Sequence, residues 1–93
     1  MIQSFRTKET EQLWQQERVK AFQQVKKVAY RKLTYLNAAS SLTDLRVPPG
    51  NRLEALQGDR VGQYSIRINI QYRICFRWTE NGPEDVEINK HYE

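Results

Sequence analysis

Five arginines in the segment spanning residues 51–77 carry the strongest chemical signal in this chain: Arg52, Arg60, Arg67, Arg73 and Arg77. A guanidinium stays charged, and its planar donors match phosphate oxygens. The C-terminal Lys90-His91-Tyr92-Glu93 adds an imidazole that titrates near neutrality, a phenol and a further cation. Cleaving RNA needs little more than such a set, because the 2′-hydroxyl is an internal nucleophile. Its proton must be removed, the crowded phosphate neutralised and the leaving 5′-oxygen protonated. Arginine suits the second task and His91 the proton transfers. Tyr92 suits stacking on a base or assisting a proton.

Strand periodicity says how these residues must be positioned. In QYSIRIN, Tyr64, Ile66 and Ile68 fall on one side of a strand, and Ser65, Arg67 and Asn69 on the other. In YRICFRW, Tyr72, Ile74, Phe76 and Trp78 share a side opposite Arg73, Cys75 and Arg77. Two adjacent strands of this kind present an apolar face and a cationic face suited to polyanions. Glu87, Asn89 and His91 share the polar side of the last strand if Val86 and Ile88 face the core. A purely structural use stays open: Arg67 and Arg73 pairing with Glu87 or Asp85 across the sheet, and His91 as a solvated terminal residue.

Ninety-three residues make one domain, 1–93, with a limited core. The net charge is +4 and unevenly spread. Arg18, Lys20, Lys26, Lys27, Arg31 and Lys32 stand in an acid-free stretch from Arg18 to Thr43. After Trp78 the sign reverses through Glu80, Glu84, Asp85, Glu87 and Glu93. One cysteine, Cys75, forms no internal disulfide, and no apolar run suits a membrane or a secretory signal, so a cytoplasmic protein is expected. One His and one Cys are too few for a zinc cluster, and GDRVG lacks the spacing of a nucleotide-binding loop, so neither metal nor cofactor is expected. Cys75, between Ile74 and Phe76, reads as a small strand filler rather than a nucleophile.

The element order expected is β-α-α-β-β-β, an α+β domain in which two N-terminal helices cover one face of an antiparallel sheet. Met1–Phe5 reads as a short first strand. Thr10 caps a helix from near Glu11, anchored by Leu13 and Trp14. Val25, Val28, Ala29, Leu33 and Leu36 predict a second helix from about Lys20 to Ala38, with its cations on the remaining faces. SLTDL adds a turn. Pro48, Pro49, Gly50 and Asn51 then form a rigid loop ahead of the arginines. Strands follow at Gln63–Ile68, Tyr72–Thr79 and Asp85–Asn89, the last two joined by a hairpin turn at Glu80-Asn81-Gly82-Pro83.

MIQSF, PPGNRLEAL, GDRVGQYSIRIN and YRICFRWTE, with the closing DVEI, resemble the HigB branch of the RelE toxin superfamily almost end to end. The resemblance implies a RelE-like fold and a toxin of a type II toxin–antitoxin system that cuts messenger RNA on the ribosome. It further implies silencing by a HigA-like helix-turn-helix antitoxin, through which the pair reaches its operator DNA. By position, Arg73 matches the phosphate-binding arginine of the YRICF strand, and Arg67 and Asn69 match the SIRIN segment. Asn51 and Arg52 match the loop. Joined to the residue chemistry above, this gives an expected catalytic set of Arg73, Arg67, His91 and Tyr92, with RNA contacts expected from Asn51, Arg52, Arg60, Asn69 and Lys90. The end of the chain departs from the branch, which commonly closes in Asp-Tyr-His where Lys90, His91 and Tyr92 stand here. Glu54 and Gln57 likewise occupy a loop where other members carry lysine or histidine. A weak nuclease, or a toxin that occludes the ribosome without cutting and acts as corepressor, is the alternative.

Overall fold

The long hairpin of β3 (Tyr72–Thr79) and β4 (Gly82–Lys90) is the backbone of the domain. In the computed structural model, which describes residues 1–90, β2 (Gln63–Arg67) pairs with the free side of β3. A two-residue β1 (Glu54–Ala55) closes the antiparallel sheet in the order β1-β2-β3-β4. Two helices, α1 (Lys8–Trp14) and α2 (Lys26–Ala38), pack on one face. Single 3-10 turns at Lys20–Phe22, Leu42–Arg46, Pro49–Asn51 and Gly58–Arg60 connect the elements.

The alternation expected for the strands is the one observed. Ile66, Ile74 and Phe76 are fully buried against Ala29, Leu33 and Leu36 of α2, with Val86 and Ile88 beside them. Each such side chain contributes about 1.5–3 kcal/mol by leaving water. Opposite residues of an antiparallel pair share a face, so Arg67↔Arg73, Ser65↔Cys75, Cys75↔Glu87 and Arg73↔Asn89 lie together on the other side. A bulge between Cys75 and Arg77 lets β4 keep Val86 inside and Glu87 outside, with Asp85 at φ +53°.

Several boundaries differ from the sequence expectation. Met1–Phe5 is not a full strand: it makes one parallel bridge, Phe5 to Val86. Its amide of Gln3 donates to Pro83 (2.8 Å) and that of Arg6 to Val86 (2.9 Å). The chain must then turn at Thr7 into α1, which cuts the pairing short. Gly82, at φ +126°, is required here because a Cβ would collide with the Met1 carbonyl. The cap of α1 is Thr7, whose Oγ1 accepts from the Thr10 amide, and not Thr10. Thr10 is instead buried, and its Oγ1 accepts the Ile88 amide at 2.9 Å. It thereby covers the outer edge of β4 where the N-terminal segment leaves off. The second helix begins at Lys26 rather than Lys20, because residues 20–22 form a tight turn that drives Phe22 into the core. Ser41 and Asp44 close a capping box on the turn made by SLTDL.

Lys32 is the other departure. The buried stripe of α2 runs Ala29, Lys32, Leu33, Leu36, so this lysine is inside rather than on the solvated face.

Candidate nucleic-acid interface

The sheet face turned away from the helices holds a groove of about 290 Å³ lined by Glu54, Leu56, Arg60, Ser65, Arg73, Cys75, Asn89 and Lys90. Arg73 is its centre. It points outward from mid-sheet by strand parity, yet is only 8 % exposed. Its Nε donates to Ser65 Oγ at 2.7 Å and its Nη2 to the Arg52 carbonyl at 2.9 Å. The same Nη2 pairs with Glu54 Oε1 at 3.2 Å. Three contacts from three segments fix the guanidinium before any ligand arrives, and pre-organised donors bind a phosphate without spending rotamer entropy.

Arg67 lies directly across from Arg73. Like charges in that relation repel. Arg73 is offset by Glu54, whereas among the described residues no carboxylate comes within ion-pair distance of Arg67. The half-buried Arg67 thus stands across the strands from the fixed Arg73, on the same sheet face but outside the lining of the groove.

The other expected contacts fare differently. Arg60 lines the groove but is engaged, its Nη1 lying 2.8 Å from Glu87 Oε1 and 3.1 Å from Gln63 Oε1. The Glu87 contact is charge pairing rather than an aligned hydrogen bond, since that buried oxygen accepts none. Arg6 stands 4.0 Å from the same oxygen. The cross-sheet pairing considered for Arg67 and Arg73 thus belongs to Arg60 with Glu87, and to Arg77 with Asp85 at 3.6 Å. The second of these is exposed and worth roughly 0–1 kcal/mol. Asn69 turns inward on its own loop, its Oδ1 accepting the amides of Gln71 and Tyr72, both at 2.8 Å. Lys90 is exposed at the groove wall. His91 and Tyr92 lie outside the described residues.

Asn51 is not at the surface. It is fully buried, accepts from Lys32 Nζ at 2.6 Å and donates to the carbonyls of Leu45 and Val47. Its role here is to pin the loop, because the buried amide bonds Lys32 of α2 and two carbonyls of the preceding turn at once. Its neighbour Arg52 adopts the left-handed conformation at φ +46° and offers its carbonyl to Arg73, leaving its side chain exposed. Burial pushes the Cys75 thiol up, beyond what neighbouring Arg60 takes back, so it is held as the neutral form.

Glu54 is the groove residue that strand patterning did not single out as chemical. Its side chain is about half exposed (51 %) beside Arg73. Nothing in a two-residue strand shows periodicity, and its partner lies nineteen positions later. Among the described residues no group of three or more potential metal ligands gathers anywhere, and no helix is long and apolar enough to cross a membrane.

Comparison with known proteins identifies the family and the fold. A family model for HigB-like toxins, described as the RelE-like toxin of the type II toxin–antitoxin system HigB, matches residues 3–92. Toxin HigB-1 of Vibrio cholerae is 42% identical over 67 residues, covering 72% of this chain and 70% of that protein. An uncharacterized protein of Haemophilus influenzae is 38% identical over 65 residues, 70% of this chain and 64% of its own length. Among solved structures, the YoeB–YefM complex from Staphylococcus aureus contains a chain that superposes with a TM-score of 0.59 at 20% identity. The match covers 99% of both chains, a likeness of fold. This chain belongs to the HigB-like family, the RelE-like toxins of type II toxin–antitoxin systems.

Proposed function

We propose that this toxin is a ribosome-dependent endoribonuclease that cuts messenger RNA in the groove around Arg73. The observation that carries the reading is the paired Arg67 and Arg73 on an open sheet face, with Arg73 fixed by Ser65 and the Arg52 carbonyl. The scissile phosphate displaces Glu54 from the Arg73 guanidinium and takes its place. The freed Glu54 carboxylate, still at the groove, accepts the proton of the 2′-hydroxyl as its oxygen attacks phosphorus. The bond to the 5′-oxygen breaks, and that oxygen takes a proton from His91, one residue beyond Lys90. The products are a 2′,3′-cyclic phosphate and a 5′-hydroxyl. Arg73 and Arg67 balance the charge that builds on the phosphorane, and Tyr92 holds the base.

The exposed cations Arg18, Lys20, Lys26, Lys27 and Arg31 support docking on the ribosome, whose RNA steers basic proteins. A ribosome also delivers the message already oriented, so a small protein needs few catalytic groups of its own. The cytoplasm and a HigA-like antitoxin, through which the pair contacts operator DNA, complete the proposal.

One observation favours the non-cutting alternative. Glu54 neutralises Arg73 in the free protein. Induced expression of the wild type and of His91→Ala, with mapping of messenger 5′ ends, tests the proposal. In-frame 5′-hydroxyl ends that vanish in the variant are expected. Growth arrest without new ends would establish occlusion instead, and ends that persist in the variant would take proton transfer away from His91.

A further inference from the structure

Lys32 sits where the buried stripe of α2 calls for an apolar residue. Replacing a charge–amide pair in such a place by hydrophobic packing is often neutral or stabilising, so the pair calls for another role. What it does here is visible in the bonds that leave it. Lys32 Nζ donates to Asn51 Oδ1, and Asn51 Nδ2 holds the carbonyls of Leu45 and Val47. The amides of Asn51 and Arg52 donate to the carbonyls of Pro48 and Pro49, closing the turn. The next residue, Arg52, is then held at φ +46°, ψ +55°, a conformation that costs a non-glycine residue about 1–2 kcal/mol. In that conformation its carbonyl meets Arg73 Nη2 at 2.9 Å.

We propose that Lys32 and Asn51 are positioning residues for Arg73, acting from beneath the loop through the Arg52 carbonyl. Neither touches the groove. Lys32 anchors Asn51 to the helix layer, Asn51 anchors the loop, and the loop presents one carbonyl that fixes the plane of the guanidinium. Together with Ser65 on Nε, this leaves one orientation of the fork facing the groove. Burial, helped by Arg31 beside it, lowers the Lys32 pKa, so the bond to Asn51 is made against the cost of desolvating the ammonium. The significance for phosphate chemistry rests on the function proposed above. The mechanical claim does not, and the test separates the two.

The test measures rotation of the Arg73 Nη2 group by exchange spectroscopy on 15N-labelled toxin, for the wild type and Lys32→Met, with circular dichroism as the fold check. Loss of one ordinary hydrogen bond is expected to speed that rotation about fivefold in Lys32→Met. A glycine at position 52 adopts the left-handed conformation unaided, so adding Arg52→Gly is expected to restore slow rotation. A merely structural role for Lys32 would show no such rescue. Should Lys32→Met not fold, Asn51→Asp carries the same measurement: it keeps a partner for Lys32 but replaces the donor to Leu45 and Val47 with an acceptor. Unchanged Arg73 rotation in a folded variant, or no rescue by Arg52→Gly, overturns the proposal. Affinity for a non-cleavable 2′-deoxy oligonucleotide, measured alongside, reports on the function. Faster rotation with unaltered affinity would keep the positioning and remove Arg73 from the phosphate site.

Discussion

Thr10→Val isolates the contact through which α1 steadies the strand that forms one wall of the groove. Thr10 is fully buried, and its Oγ1 accepts the Ile88 amide at 2.9 Å while sharing a proton with Thr7 Oγ1 at 2.7 Å. Valine has nearly the same shape and helix propensity, so packing and helix formation change little. The Ile88 N–H, on the edge of β4 and sealed from water by α1, is left without an acceptor. A buried donor orphaned in this way costs about 1–3 kcal/mol. For a domain of this size each kcal/mol lowers Tm by roughly 4–8 °C, so a fall of roughly 4–24 °C is expected. Urea unfolding should show a lower midpoint with an unaltered slope, because the surface exposed on unfolding is the same. Thr34→Val is the control: its hydroxyl donates to the Tyr30 carbonyl on the exposed side of α2, where water replaces the bond. A change within about 0.5 kcal/mol is expected there. If Thr10→Val melts within about 2 °C of the wild type, the idea that Thr10 seals the β4 edge is refuted.

Other consequences follow from single residues. Cys75, buried with its thiol pushed up, should react with iodoacetamide at neutral pH far more slowly in native than in urea-unfolded protein; equal rates would contradict the placement. The amides of Ser40 and Ser41 donate to Asp44 and hold its carboxyl below the ordinary 3.8. Its stabilising contribution is therefore complete above that pH and lost as pH falls through the lowered value. Asp44→Asn should be less stable than the wild type at neutrality, with the gap closing only below about pH 3.8 in urea titrations; a constant gap would sink the capping-box assignment. Phe76→Ala opens a cavity at the centre of the sheet, fully enclosed, and should cost about 3–5 kcal/mol in chemical denaturation.

The parts of this fold legible in the sequence are those whose pattern repeats within one element. Tyr72 to Trp78 alternate cleanly, which sets Arg73 and Cys75 on the face opposite Ile74 and Phe76. The Glu87–Asn89 parity followed for the same reason. What escaped depends on partners far apart in the chain. Glu54–Ala55 is too short to show a period, so its pairing with Ser65 and Tyr64 has no local sign. The weight of Glu54 at the groove went with it. Lys32 looked like one cation among six, yet its spacing from Ala29 and Leu36 put it in the buried stripe; the missing datum was Asn51, nineteen residues away. Asn51 itself, on a proline-glycine loop, carries the signature of an exposed position, and only its three inward bonds show otherwise.

The most direct test of the Arg73-centred groove is single-turnover cleavage of a defined message on programmed ribosomes, comparing the wild type with Arg73→Ala of matched circular dichroism. Cleavage by the wild type to 2′,3′-cyclic phosphate and 5′-hydroxyl ends is expected, with the rate falling about 10²–10³-fold in the variant, the usual loss when one charge-stabilising donor is removed. A wild type that blocks translation while leaving the message whole, or a variant that cuts at the wild-type rate, would contradict it.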